Sequence, residues 1–278
     1  MSSLSSQEQA PGQSEPTTGP VVIVSGADSA IGREVACAFS RLGARLLICG
    51  ADAVGLDACA AALRLEGAPE AQVLSLNAGE ADQAEKLLDD AWRHFGRVDV
   101  LVNIASQPAA QSALTCSASE WKSVIQTHLN GTWYMMQAAA RRWRDAGAPG
   151  GVVNVVGTFQ RGTPGLAHQC AASTAVNYLS RTVAVEWAEY RIRVNCVAAG
   201  VIATSTAMTA PESTAKTLAS VNVMKREGRA RDVADAVVYL AGPRGEFITG
   251  ELLTVDGGGT LWGETWATPK PDYYRLSP

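Results

Sequence analysis

Two stretches of this chain carry residue types and spacings that chemistry can use. The first is VVIVSGADSAIG, Val21 to Gly32, in which four apolar residues run into a turn at Gly26 and then into helical periodicity through Val35, Ala36 and Phe39. A buried strand, a glycine turn and a helix start present backbone amides to phosphate, and the glycines let the backbone approach a dinucleotide pyrophosphate. Ser25, Gly26, Ser29, Ile31 and Gly32 are the candidate contacts of that turn. Ala30 stands where the middle glycine of a GxxxGxG turn would fall, so its methyl crowds the closest approach of phosphate. The second stretch is LAHQCAAS, Leu166 to Ser173. His168 has an intrinsic pKa suited to proton transfer, but at a helix start we read it as a capping or hydrogen-bonding residue. No base is spaced to activate the Cys170 thiol, and Tyr134, four residues after Asn130 on one helical face, reads as buried against a sheet.

The elements that must position these residues alternate in type. Strands are expected at Val21 to Val24, Arg45 to Gly50, Ala71 to Leu76, Val98 to Asn103, Val152 to Val156, Ile192 to Val197 and Leu252 to Val255. Between them lie helices beginning near Ile31, over Leu56 to Leu65, Ala81 to Phe95, Ser117 to Trp143, Leu166 to Trp187 and Asp232 to Leu240, with a variable stretch from Thr204 to Val223. The pattern Ser117-x-x-Glu120 is a capping box. Strands separated by helices of this length require right-handed crossovers and a parallel α/β sheet. In such a sheet ligands bind at the carboxyl ends of the strands. Those ends are Ser25-Gly26, Gly50-Ala51, Asn77, Asn103 to Ser106, Val156 to Thr158 and Ala199 to Thr204.

The chain has 278 residues, 47% of them hydrophobic, which suits one α/β domain over residues 20–259. Residues 1–19, polar and rich in Ser, Gln and Pro, read as a flexible tail without signal-peptide character. A net charge of −4, with no basic run beyond Arg141-Arg142, argues against nucleic acid or an anionic membrane as partner. No apolar run reaches membrane-spanning length, and the expected compartment is the cytoplasm. Six cysteines without CxxC spacing read as core residues, with neither a disulfide framework nor a metal site. The tail 260–278, with Trp262, Trp266, Tyr273 and Tyr274, is expected to cover the cleft or an interface.

The order of these motifs resembles the short-chain dehydrogenase/reductase family from Val21 to Gly259: the glycine turn, VDVLVN, Asn130-Gly131, RIRVNCV and FITGELLTVDGG follow one another as they do there. The resemblance implies a doubly wound, Rossmann-type, seven-stranded parallel sheet with helices on both faces. It also implies hydride transfer in which a Tyr exchanges the proton, a Lys four residues later lowers that Tyr's pKa, a Ser positions the carbonyl and an Asn supports a water chain. On that register Gln169 takes the Tyr position and Ser173 the Lys position, Thr158 is the hydroxyl nearest the Ser position, and only Asn130 is retained outright. On the cofactor side Ala51 offers neither a carboxylate for NAD nor a basic group for NADP, and Asp52 comes one or two residues late. Asn77 stands at an adenine-contacting Asp, Asn103 and Ala105 in the NNAG position, and Thr204 at the residue that meets the nicotinamide carboxamide.

LAH before the catalytic positions, AVEW and the Trp-rich end resemble the branch of enoyl-CoA and dienoyl-CoA reductases and citronellol-dehydrogenase-like proteins, which dispenses with the Tyr. Two functional expectations follow. One is a non-catalytic subunit in a homo- or hetero-tetramer with an active paralogue, built through the two long helices, binding NAD or NADP weakly or not at all. The other is a Tyr-independent oxidoreductase acting on a small hydrophobic, acyl-CoA or terpenoid substrate. A lyase or isomerase reusing the cleft is a third.

Overall fold

Apolar residues alternate between two faces along each central strand, and that alternation builds two cores, one on either side of the sheet. The computed structural model describes residues 19–77, 79–104, 110–203 and 222–261. In chain order the main elements are β1 (Val21–Ser25), α1 (Ala30–Ser40), β2 (Arg45–Gly50), α2 (Ala53–Leu65), β3 (Glu70–Ser75), α3 (Ala81–Phe95), β4 (Val100–Ile104), α4 (Ala118–Val124), a π-helical segment (Ile125–Asn130), α5 (Gly131–Ala146), β5 (Gly150–Gly157), α6 (Ala167–Glu186), β6 (Ile192–Ala199), α7 (Ala230–Ala241) and β7 (Leu252–Val255). The seven strands form one sheet in the order β3-β2-β1-β4-β5-β6-β7, every neighbouring pair parallel.

Val22 and Val24 pack with apolar residues of α1, α2 and α7, whereas Val21 and Ile23 pack with those of α3, α5 and α6. Strands covered on both faces explain the unbroken apolar runs of the sequence. The chain leaves β1 for β2 on one side and returns to β4 on the other, so the switch point lies between the carboxyl ends of β1 and β4.

The expected strands and helices are present, with shifted ends. Helix α2 begins at Ala53 rather than Leu56, because the Asp52 carboxylate accepts the Val54 and Gly55 amides as an N-cap. Asp52 is thereby committed to the helix. β3 and β4 sit at Glu70–Ser75 and Val100–Ile104, and β5 extends to Gly150–Gly157.

The helix expected from Ser117 to Trp143 runs unbroken from Ala118 to Ala146, but its winding changes midway. Its start is a capping box, Ser117 accepting from the Glu120 amide at 3.2 Å and Glu120 accepting from the Ser117 amide at 2.8 Å. After Val124, however, the backbone widens into the π-helical turn that ends on Asn130. Apolar periodicity averages over such a turn, and the bonds that accompany it come from distant chain: the Gln126 amide donates to the Gly79 carbonyl. No helix among the described residues is long and apolar enough to cross a membrane. Residues 1–18, Ala105, Ser106, Thr204 and the tail aromatics from Trp262 onward lie outside the described residues.

Candidate active site

At the carboxyl end of β1, Gly26 has a φ of +80°, and a Cβ there would lie 2.1 Å from the Ile104 carbonyl oxygen. Only glycine fits that turn. A Cβ at Gly32 would lie 2.1 Å from the Gly26 carbonyl oxygen, so the second glycine lets α1 close onto the turn. Ser29 caps the helix, its hydroxyl accepting from the Gly32 amide at 3.0 Å and donating to the Gly26 carbonyl at 2.8 Å. The amides of Ala30 and Ile31 belong to the first turn, which has no intrahelical acceptors. The turn is therefore formed as a phosphate cradle should be, with Ala30 at the first position of its helix.

A depression opens beside it, lined among others by Ser25, Gly26, Asp28, Ala51, Asn77 and His128. Asp28 is the feature the sequence reading missed. Its Oδ2 accepts from the amides of Ala51 and Asp52, each at 2.9 Å, so a carboxylate from the glycine turn occupies the end of β2. Space for it is made by Gly50, where a Cβ would lie 2.4 Å from the Asp28 Cγ, and by Gly55, where one would lie 2.4 Å from the Asp28 carbonyl oxygen. Two glycines matched to one aspartate were the available signal. Asn77 lines the depression, but its side-chain oxygen accepts from the Gly79 amide at 3.0 Å.

Asn103 is buried; its amide donates to Asn154 Oδ1 at 2.9 Å, and Asn154 in turn donates to the Ser180 hydroxyl at 2.9 Å. The Asn103 Oδ1 is buried without a hydrogen-bond partner among the described residues. Asn130 ends the π-helical turn with its amide donating to Gln126 Oε1 at 2.7 Å, so the one retained catalytic-position residue is tied, through Gln126, to Gly79. His128 is buried beside these groups, and burial, reinforced by the neighbouring His168, lowers its pKa to about 4.

The positions expected to be catalytic come together across β5 and α6. Gln169 and Ser173, one helical turn apart, are 7% and 5% exposed. They face Gly157, where a Cβ would lie 3.4 Å from Gln169 Nε2 and 3.9 Å from Ser173 Oγ. Thr158, the hydroxyl expected here, follows the strand with its amide bonded to the Ala199 carbonyl, one residue beyond the position whose Cβ would face Gln169 and Ser173. A one-residue offset moves a side chain to another face of an extended chain, which motif alignment across an irregular strand end does not resolve. Glycine, glutamine and serine supply hydrogen-bonding groups but no acid or base that works near neutral pH.

His168 is 2% exposed, its Nδ1 accepting from the Gln169 amide at 2.8 Å and its Nε2 lying 3.3 Å from Gln111 Nε2. Gln111 also bonds through its amide to the Gly165 carbonyl at 2.8 Å. The imidazole thus pins the segment before α4 onto the start of α6. Tyr134 is half-buried against the α3–α5–α6 core, and Cys170 is half-buried. Burial raises the Cys49 thiol to about 12 and the Cys196 thiol to about 11, as inert core cysteines require.

Comparison with known proteins agrees with this geometry. Residues 26–260 match the family model described as enoyl-(acyl carrier protein) reductase. The chain is 30% identical over 257 residues to a probable 2,4-dienoyl-CoA reductase of Bacillus subtilis, covering 90% of this chain and 98% of that one. Among solved structures, a short-chain dehydrogenase from Bacillus anthracis superposes with a TM-score of 0.80 at 32% identity, over 87% of this chain and 97% of that one. A citronellol catabolism dehydrogenase of Pseudomonas aeruginosa gives 0.77 at 26% identity, over 88% and 98%. With its seven-stranded parallel sheet, its glycine turn at the switch point and these matches along most of its length, the chain belongs to the short-chain dehydrogenase/reductase family.

Proposed function

We propose that this chain is a non-catalytic member of that family, acting as a subunit beside an active paralogue. The observation that carries the reading is the facing set Gly157, Gln169 and Ser173: the three positions that would position a carbonyl, exchange its proton and tune that exchange hold nothing that titrates near neutral pH. A nicotinamide dinucleotide, where bound, supplies the hydride; the residues here fit its phosphates through the Gly26 turn but crowd them at Ala30, so weak binding of NAD or NADP is expected. Purified protein incubated with NADH or NADPH and a panel of ketones should show no nucleotide oxidation above background. Co-expression with an intact relative should give a mixed tetramer by light scattering. Turnover by the isolated chain defeats the reading.

One observation favours a second reading. The polar ends of Gln169 and Ser173 stand beside Gly157 and make no hydrogen bond to any described residue, so they remain available to a ligand. A Gln amide and a Ser hydroxyl can donate to the carbonyl oxygen of a conjugated acyl thioester and stabilise the enolate charge that would develop there without transferring a proton, which the enolate carbon would take from water. On this reading the chain is a Tyr-independent reductase of hydrophobic acyl thioesters, in line with the activity named for its Bacillus subtilis relative. Loss of a dienoyl thioester's absorbance that depends on NADH or NADPH, abolished in Gln169→Leu, would establish it.

A further inference from the structure

We propose that Asp28 sets nucleotide choice in this chain: its carboxylate admits an adenosine whose ribose keeps a free 2′-hydroxyl and rejects one carrying a 2′-phosphate. The inference rests on the dinucleotide cleft of the fold and on neither reading of the chemistry.

Nucleotides in an open α/β sheet lie across the switch point with the adenosine ribose over the end of the second strand. Here that end is Gly50-Ala51, which has no functional side chain, and Asp52 is spent on capping α2. The turn side of the cleft supplies what is missing. Asp28 reaches across with one oxygen, Oδ2, fixed by two backbone amides, while Oδ1 makes no hydrogen bond to any described residue. A carboxylate held by one oxygen and open at the other is a rigid acceptor, suited to the two donors of a ribose diol. The same charge repels a 2′-phosphate, which is close to doubly negative at neutral pH. Among the described residues no Lys or Arg lines the depression to offset that repulsion. The arrangement is built rather than incidental, since Gly50 and Gly55 both leave room that a Cβ would take from Asp28.

Calorimetric titration with ADP-ribose and with 2′-phospho-ADP-ribose reads the choice directly and needs no turnover. Wild-type protein should bind ADP-ribose at least tenfold more tightly than its 2′-phosphorylated form. Asp28→Asn should bring the two within about threefold, chiefly by improving the phosphorylated ligand. Gly50→Ala, which displaces the carboxylate while keeping its charge, should also reduce the ratio; circular dichroism and thermal melting confirm that both variants fold. Equal or tighter binding of the phosphorylated ligand by the wild type overturns the proposal, as does a ratio unchanged in folded Asp28→Asn. Binding of ADP-ribose that appears only in the variant makes Asp28 a plug rather than a reader, and binding by neither protein leaves no choice for it to make; both outcomes also defeat the proposal. Turnover bears only on the proposed function, whereas this ratio bears only on Asp28.

Discussion

At the scale of single residues, the proposed loss of catalytic groups can be tested by restoring them. A side chain at Gly157 meets Gln169 and Ser173 only at van der Waals distance, so a serine is accommodated there. The triple variant Gly157→Ser, Gln169→Tyr, Ser173→Lys should therefore acquire ketone reduction at millimolar nucleotide. Its rate should exceed that of the wild type by about 10²-fold or more, the scale of positioned acid-base catalysis. The pair Gln169→Tyr and Ser173→Lys alone should recover less, because no hydroxyl then positions the carbonyl. Nucleotide oxidation followed at 340 nm is the measurement, and a folded triple variant as silent as the wild type would place the block elsewhere in the cleft.

At the scale of elements, the end of α7 is fastened to the sheet by one side chain. Arg193 on β6 donates to the carbonyls of Leu240, Ala241, Gly245 and Ile248 at 2.7 to 3.3 Å, satisfying terminal groups of the helix and of the turn after it. Half burial lowers its pKa from the usual guanidinium range, but the group remains charged. Arg193→Met should cost about 3 kcal/mol or more, since several carbonyls lose a charged donor at once, and Arg193→Lys should recover part of that loss. Urea midpoints report both. The π-helical turn is fastened more lightly: Gln126→Leu removes the bonds to Asn130 and Gly79 and should cost about 1–2 kcal/mol. A thermal midpoint lower by several degrees is the corresponding signal.

At the scale of the whole molecule, stability and assembly depend on groups that the sheet buries or leaves outside. His128 is neutral in the folded state, with its pKa lowered to about 4, whereas the unfolded chain takes up the proton near its ordinary value of about 6.5. Between those values the unfolded state binds more protons, so stability falls as pH falls; the His128 contribution should drop by about 2 kcal/mol between pH 7.5 and 5. His128→Leu should flatten the pH profile in that window relative to the wild type, and parallel profiles would contradict the assignment. On the opposite side of α6, Tyr178 is 62% exposed and Val185 80% exposed, while Trp133 and Trp187 stack on each other at 6.3 Å within the chain. If the proposed assembly forms through α5 and α6, Tyr178→Glu should dissociate it, because an unpaired carboxylate in an apolar contact is costly. Light scattering on wild type and variant measures this, and a wild type that is monomeric alone and with any paralogue removes the subunit reading.

The sequence by itself determined the layout. Unbroken apolar runs such as VVIVS and VLVN, alternating with helical periodicity, require a doubly covered parallel sheet, and the glycines at 26 and 32 mark where its ligand cleft begins. Gln169 and Ser173 were likewise legible, because positions four apart on a helix keep their spacing whatever the tertiary context. What tertiary structure decided are the contacts between distant segments. That Gly157 rather than Thr158 faces those two depends on how β5 ends against α6. That Asp28 rather than Asp52 brings a carboxylate to the end of β2 depends on a side chain reaching across 23 residues of sequence to the amide of Ala51. Local periodicity carries no information on either, since both are fixed by the packing of strands whose partners are far apart in the chain.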